Sequence, residues 1–479
     1  MFSCWLALRV YMLVAALFEL AVPRTAAQSS DTQLHASRRC AAVDQIVICL
    51  TYRAANRAHR DALGAVLDWR RLLAAIESHV EPHTAPRIGS AASTCDQLRG
   101  ALIRLAVAAR VYFPLSEIPA IVDALEPDLD SATMRHDSAE SFRAIALLAL
   151  FLPERAWPSA TKPLAARCLD RWLALAAALS HSPEWHGHVL DLILRLITFA
   201  GLDDASWRSR SAEIVAQIRI TLSPPVRSES GAAGAAPTPR DAPALYRKLS
   251  TSHHSSEQLE VAATLCVALM RGEGGGESEV VEMVCAELLR GSLRPFFHPS
   301  TKDARMGWKA MHFLSCLCTA LAQLVGEQRG TAALLAATTA TPPATLTPPT
   351  FEVNVNDDGL LSSSIARWEG VPPLTQASLD RIVGVALPFS LEALYALAPP
   401  SVSAACDALQ SLAALAGEKV CTALFAQAAR GLSKASAIYP HQQPALLSVL
   451  ARVVRPCLRQ RGSAQLLLRF LPELLPLTL

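Results

Sequence analysis

The sequence predicts an all-α fold built from antiparallel helix pairs, and three observations lead to this prediction. Apolar residues recur at helical spacing along most of the 479 residues, and aromatic residues make up only 6% of the chain. Many of the apolar segments are bounded by proline, glycine or aspartate. Leu, Ala and Val therefore supply most of the apolar side chains, and this composition favours helices over sheets.

The first part of the chain, residues 1–53, is interpreted as a leader that contains an apolar run at Trp5–Leu20. We expect this run to form an N-terminal amphipathic helix. The alternative is a secretory signal covering residues 1–27, although no basic side chain precedes Arg9. The run is short for a membrane span, which needs about 20 apolar residues, and no other segment is predicted to span a membrane.

Three helical blocks follow, at 54–222, 245–337 and 375–479. Their apolar periodicity predicts helices at 61–79, 96–110, 115–125, 139–151, 161–181, 184–200, 205–222, 256–271, 278–290, 304–326, 376–397, 401–416, 418–435, 442–458 and 462–474. Pairs of roughly 35–45 residues without a strict consensus are typical of an α-solenoid of the HEAT/armadillo type. A globular helical bundle is the alternative, but so many helices are hard to gather around one core.

Two inserts separate the blocks. Residues 223–244 are predicted to be a flexible linker and residues 338–374 a disordered loop, because Ser, Pro, Gly, Thr and Ala largely replace bulky apolar side chains there. Within the loop, Phe351–Val355 has the alternation of a short strand.

Composition excludes several classes of protein. The chain has 44 basic and 42 acidic residues, for a net charge of +2, so it has no strong field to attract nucleic acid or an anionic membrane. Its 12 cysteines are scattered, and most lie in apolar helical runs. We expect reduced thiols that serve as small core residues, as in nuclear or cytosolic proteins.

No catalytic, cofactor or metal site is predicted, and we do not expect an enzyme. The sequence has no phosphate-binding loop, H-E-x-x-H or G-x-S-x-G motif. Cys316 and Cys318, like His186 and His188, are two residues apart and so diverge on a helix. We interpret the two histidines as surface residues.

Aromatic residues beside prolines recur along the chain in a particular order. An aromatic residue before a proline is by itself a common buried anchor at a helix end. The positions are Trp69-Arg70, Tyr112-Phe113-Pro114, Phe151-Leu152-Pro153, Trp172, Pro183-Glu184-Trp185, His298-Pro299-Ser300 and Trp308. We expect Trp69, Phe113, Phe151, Trp172 and Trp185 to be buried between helices.

The order of these motifs resembles that of the large HEAT-repeat proteasome activators, a family that includes proteasome activator complex subunit 4 and its fungal and plant relatives. The resemblance covers about residues 60–458, which correspond to the family's N-terminal to middle HEAT region. The turn at Thr301–Trp308 departs from the family pattern. Pro476–Leu479 does not match the family's C-terminal tyrosine tail, and its bromodomain-like module has no counterpart, so we expect a truncated member.

The resemblance implies a non-enzymatic scaffold that binds the α-ring of the core (20S) proteasome and favours an open gate. It implies roles in protein degradation and DNA repair, in the nucleus and cytoplasm, without direct contact to nucleic acid or membrane. The chain would be monomeric before docking. The alternative is a generic HEAT/armadillo adaptor that binds protein helices or peptides in transport or trafficking. A secretory location is the alternative if residues 1–27 form a signal.

Overall fold

The computed structural model describes most of the chain. The described residues are 2–22, 33–53, 63–64, 66–78, 90–129, 139–180, 183–200, 207–223, 255–270, 276–298, 301, 303–339, 374–431 and 442–478. Almost all of them are helical and none lies in a strand, which confirms the all-α class. The predicted linker and loop lie outside the described residues, apart from 223, 338–339 and 374. The contacts divide the chain into two compact units.

Unit 1 contains the described helices up to residue 200. These are α1 (Phe2–Ala21), α2 (Gln33–Arg53), α3 (Trp69–Ser78), α4 (Ser90–Ala109), α5 (Ile118–Leu125), α6 (Ala139–Phe151), α7 (Lys162–Ala178) and α8 (Pro183–Phe199). Single turns of 3-10 helix lie at Leu115–Glu117, Glu126–Asp128 and Ser159–Thr161. The periodicity therefore predicted α3–α8 well, although α3 begins later than expected.

The late start of α3 has a local cause. The carboxylate of Asp68 accepts a hydrogen bond from the backbone N–H of Arg70 at 2.9 Å. An aspartate immediately before a helix satisfies an amide that has no intrahelical partner, which favours a helix start at that point.

The segment before residue 54 is packed into unit 1. Helix α1 contacts α2, and α2 contacts α4. Val14, Phe18 and Ile46 are fully buried. The Arg71 guanidinium lies 5.3 Å from the Phe18 ring centroid and pairs with Glu19 at 2.9 Å. Residues 33–53 thus contribute to the helical core, whereas the sequence pattern had separated them from it.

Unit 2 contains the described helices from residue 207 onward. These are α9 (Ser211–Leu222), α10 (Ser255–Leu269), α11 (Gly276–Glu282), α12 (Arg294–Phe297), α13 (Ala304–Thr339), α14 (Gln376–Ala393), α15 (Pro399–Gly431), α16 (Gln442–Leu458) and α17 (Arg461–Thr478). A π-helical stretch, Met283–Leu293, joins α11 to α12. The apolar periodicity predicted an α-helix at 278–290, and it did not indicate the π-helical geometry of this stretch.

Helix α13 contains a segment, residues 304–326, that is long and apolar enough to cross a membrane. The sequence pattern had not predicted such a segment. However, 61% of its most apolar window is buried, and α13 packs against α10 and α15. Packing in the core of unit 2 accounts for its composition.

Helix α15 is bent. The sequence predicted two helices, 401–416 and 418–435, on either side of Gly417. The backbone of Ala416 departs from helical angles (φ −142°, ψ 60°), so α15 consists of two helical segments that meet at this residue. The predicted break beside Gly417 is therefore confirmed.

The side chain of Gln460 satisfies the backbone groups that this kink exposes. Its oxygen accepts from the N–H of Gly417 at 3.2 Å, and its nitrogen donates to the carbonyls of Ala413 (3.0 Å) and Ala414 (2.8 Å). A β-carbon on residue 417 would collide with Ser463 Oγ. Glycine is therefore required here by close approach.

Candidate functional site

Three of the predicted anchors meet in one aromatic cluster in unit 1. Ring centroids lie 6.2 Å apart for Trp69 and Phe151 and 5.8 Å apart for Phe113 and Phe151. The three side chains are at most 3% exposed. They come from α3, the turn after α4 and the end of α6, so the cluster joins three segments that are distant in sequence. Aromatic pairs at such distances stabilise a core beyond the area they bury.

A polar rim surrounds this cluster. The indole N–H of Trp69 donates to Glu117 at 3.1 Å, and the Arg70 guanidinium pairs with the same carboxylate at 2.7 Å. Arg70 also lies over the Trp69 ring, 4.8 Å from its centroid. Arg155 donates to the carbonyl of Phe113 at 2.9 Å. The Trp-Arg motif thus places its tryptophan in the core and its arginine on the exposed rim.

The other residues of the motif series have different environments. Tyr112, Leu152, Pro153, Trp172 and Trp185 are buried, Pro114 and Trp308 are half-buried, and His298 is exposed. Pro183 begins α8, while Pro299 and Ser300 lie outside the described residues. Burial of the five expected anchors is confirmed. Residues up to Trp185 belong to unit 1 and the later ones to unit 2, and the buried members in unit 1 anchor its helices.

A buried network of charges also lies in unit 1. Arg195 contacts Asp191 at 2.7 Å and Glu154 at 3.3 Å, and Glu154 contacts Arg110 at 3.3 Å. Their side chains are between 7% and 13% exposed. Burial by itself lowers the pKa of Arg195, but Asp191 and Glu154 outweigh it and raise that pKa. Two guanidinium groups and two carboxylates therefore compensate one another in the interior.

This network is suited to holding segments together rather than to catalysis. It joins the end of α4, the segment after α6, and α8. Each carboxylate is engaged by a guanidinium, and a general base needs access to a substrate proton. The sequence analysis had not found the network, because Arg110 and Glu154 are distant in sequence from the Asp191–Arg195 pair on α8.

The interpretation of His186 and His188 as surface residues was wrong. They are 1% and 2% exposed, and the ring of His188 lies 5.5 Å from that of Trp185. Helix α8 is buried on nearly every side, so it has no solvent face on which histidines could lie. In the part of the chain that the structure describes, no group of three or more His, Cys, Asp or Glu side chains could hold a metal.

Unit 2 contains a cavity of about 230 Å³ beside α12, referred to here as the α12 cavity. Its lining includes Phe296, Phe297, His298, Met311, Ala396 and Leu397. Leu397 is 79% exposed. Cofactor and drug-sized sites are usually about 300–1,000 Å³, so this cavity is smaller than a typical site of that kind.

Ten cysteines have described side chains, and all ten are free thiols. Seven of the ten are buried, as expected for small core residues, and Cys40, Cys49 and Cys316 are half-buried. Cys4 and Cys95 lie outside the residues whose side chains are described. Burial raises the pKa of Cys266 to about 12 and that of Cys285 to about 11. Thiolates are the reactive form, so these two residues behave as inert core side chains.

Alkylation of the native protein should follow this burial. At pH 8, iodoacetamide should modify Cys266 in the native protein at least about tenfold more slowly than in the chain unfolded by guanidinium. The reason is that only a very small fraction of Cys266 is a thiolate in the native state. Half-buried Cys49 is the internal control and should react earlier. Peptide mass spectrometry at successive times measures both rates. Equal rates at Cys266 in the native and unfolded chains would contradict its assignment to the core.

The chain matches none of the protein-family models compared with it, and it matches no curated protein. The all-α fold therefore stands on the structure itself. The kinship with proteasome activators and the function it implies are proposals.

Proposed function

We propose that the chain is a non-enzymatic α-solenoid scaffold that binds the end of the core proteasome and favours its open gate. The observation that supports this proposal is the ordered series of aromatic motifs, whose five expected anchors are buried between helices. Trp69, Phe113 and Phe151 pack together, and Trp172 and Trp185 are fully buried. Because folds do not determine function, the step from scaffold to proteasome rests on the resemblance alone.

The solenoid part of the proposal has support in the helix contacts. In unit 1, α2 contacts α4, α4 contacts α6, and α6 contacts α8. In unit 2, α13 contacts α15 and α15 contacts α17. Stacked helix pairs bring alternate helices together in one layer, as in HEAT and armadillo arrays.

A binding and hydrolysis assay with purified core proteasome tests the proposal. The chain alone should bind weakly and leave fluorogenic peptide hydrolysis unchanged. Its net charge of +2 gives little electrostatic steering, and rim contacts contribute little without a buried anchor. Fusing the C-terminal tail of a family member should tighten binding and raise hydrolysis.

The control for this assay is a core proteasome whose two ends are already occupied by another activator, which should bind neither protein. Mass photometry measures the binding. If the fused chain neither associates with free core particles nor raises hydrolysis, the proposal is wrong. Strong stimulation by the unfused chain would show that the tail is dispensable.

A second candidate function is the generic adaptor, and the α12 cavity favours it. Exposed Leu397 and half-buried Phe296 offer apolar surface beside it, suited to the apolar face of an amphipathic helix. If the chain is an adaptor, the fused chain should not bind the proteasome. A leucine-rich helical peptide should bind the chain instead, and the substitution Leu397→Asp should abolish that binding.

A further inference from the structure

Two buried sulfur atoms are in contact within unit 2. Cys421 Sγ lies 3.2 Å from Cys457 Sγ, and both residues are 0% exposed. Cys421 lies in the first turn of α15 beyond its kink, and Cys457 lies in the last turn of α16. The two helices pack against each other, so the contact is a fixed part of the interface between them.

The two thiols are coupled chemically. The hydrogen bond from the S–H of Cys457 lowers the pKa of Cys421, and the same interaction raises the pKa of Cys457. The first proton therefore leaves the pair more easily than the second, as in other coupled sites. If a thiolate next to a second thiol is oxidised to a sulfenic acid, the second thiol can condense with it to form a disulfide.

We propose that Cys421 and Cys457 are an oxidative modification site, at which a small hydroperoxide produces a reversible disulfide between α15 and α16. Cys421 loses its proton, and the thiolate attacks the terminal oxygen of the hydroperoxide. The O–O bond breaks, and the departing alkoxide or hydroxide takes up that proton to leave as an alcohol or water. The sulfenic acid on Cys421 is then attacked by the Cys457 sulfur, which releases water. Each sulfur loses one electron overall, and the hydroperoxide gains two.

The geometry of the pair allows this step with a small movement. A disulfide needs a sulfur–sulfur distance of about 2.0 Å, so the two atoms must approach by roughly 1.2 Å. Burial keeps bulky oxidants such as glutathione disulfide away, and even a hydroperoxide must wait for local opening of the helix pair. In a reducing compartment such a disulfide is transient, as are most cytosolic disulfides.

The test uses the full chain, first reduced and freed of reductant. It is treated with hydrogen peroxide, alkylated in guanidinium and digested without reduction. We expect a peptide that links Cys421 to Cys457, its disappearance with dithiothreitol, and a melting temperature higher by roughly 5 °C or more in the linked form. Cys421→Ser and Cys457→Ser should each abolish the linked peptide.

The matched control is Cys406→Ala, which removes another buried cysteine of α15 and should leave the linked peptide intact. If a serine variant fails to fold, the wild-type mass spectra alone decide the matter. Full alkylation of both residues after peroxide treatment would overturn the proposal. So would sulfinic acid on Cys421 without a linked peptide, or a link to a different cysteine.

Discussion

Replacement of Trp172 by alanine should lower the free energy of unfolding by about 3–5 kcal/mol, which is the usual cost of removing a large buried aromatic side chain. Trp172 is 0% exposed and lies on the buried face of α7, in a region where α7 packs on α8. The cavity that remains cannot close fully, because the neighbouring backbone belongs to helices fixed by other contacts. Guanidinium unfolding followed by circular dichroism measures the loss.

Trp172→Phe is the matched control. The indole nitrogen of Trp172 is buried and has no hydrogen-bond acceptor among the described residues, so phenylalanine removes no hydrogen bond and keeps one aromatic ring. Its cost should be less than half that of alanine. A loss below about 1 kcal/mol for Trp172→Ala would remove this residue from the core.

Replacement of Arg195 by methionine should be comparably damaging, at about 3–5 kcal/mol, because it leaves buried carboxylates without compensation. Asp191 and Glu154 both contact this guanidinium, at 2.7 Å and 3.3 Å. Breaking a buried pair by removing one partner costs more than the pair itself contributes. The same unfolding experiment gives the value.

Two further variants separate charge from packing in this result. Arg104→Met removes an exposed pair with Asp44, whose side chains are 59% and 53% exposed, and should cost less than about 1 kcal/mol. The triple variant Arg195→Met, Asp191→Asn, Glu154→Gln should recover part of the stability lost by Arg195→Met. A triple variant less stable than the single one would show that shape, and not charge, dominates at this position.

Much of the fold could be predicted from the sequence, because apolar periodicity reports which face of a helix is buried. It placed α4–α10 and α14–α17 to within several residues at most of their ends, and it placed the bend of α15 at Gly417. It began α13 correctly at residue 304 but ended it at 326, whereas the helix continues to Thr339. It could not reveal that α2 packs on α4, since α2 is rich in polar residues. It also could not show that Gln460 bonds to the backbone groups exposed at the bend, because that contact comes from a distant segment.

Less of the candidate sites was predictable. Burial of the aromatic anchors could be predicted from their place in apolar helical runs or near prolines, but their meeting in one cluster depends on how the helices stack. The histidines of α8 were misjudged because the sequence cannot show that the polar face of this helix is also covered by neighbouring segments. The proximity of Cys421 and Cys457 was weakly indicated by their positions. Cys421 lies near the start of the second segment of α15 and Cys457 near the end of α16, and these positions are adjacent when the two segments form an antiparallel hairpin.

The buried charge network determines how unit 1 opens. A repeat array held only by nearest-neighbour contacts frays from its ends, one pair at a time. In unit 1, separation of α8 would remove Arg195 from Glu154 and leave that carboxylate dependent on Arg110 alone. Partial opening is therefore costly in free energy, because it leaves a buried carboxylate with one of its two guanidinium partners removed. We therefore expect the end of α4 and α8, which this network joins, to share one opening free energy and to behave as one foldon.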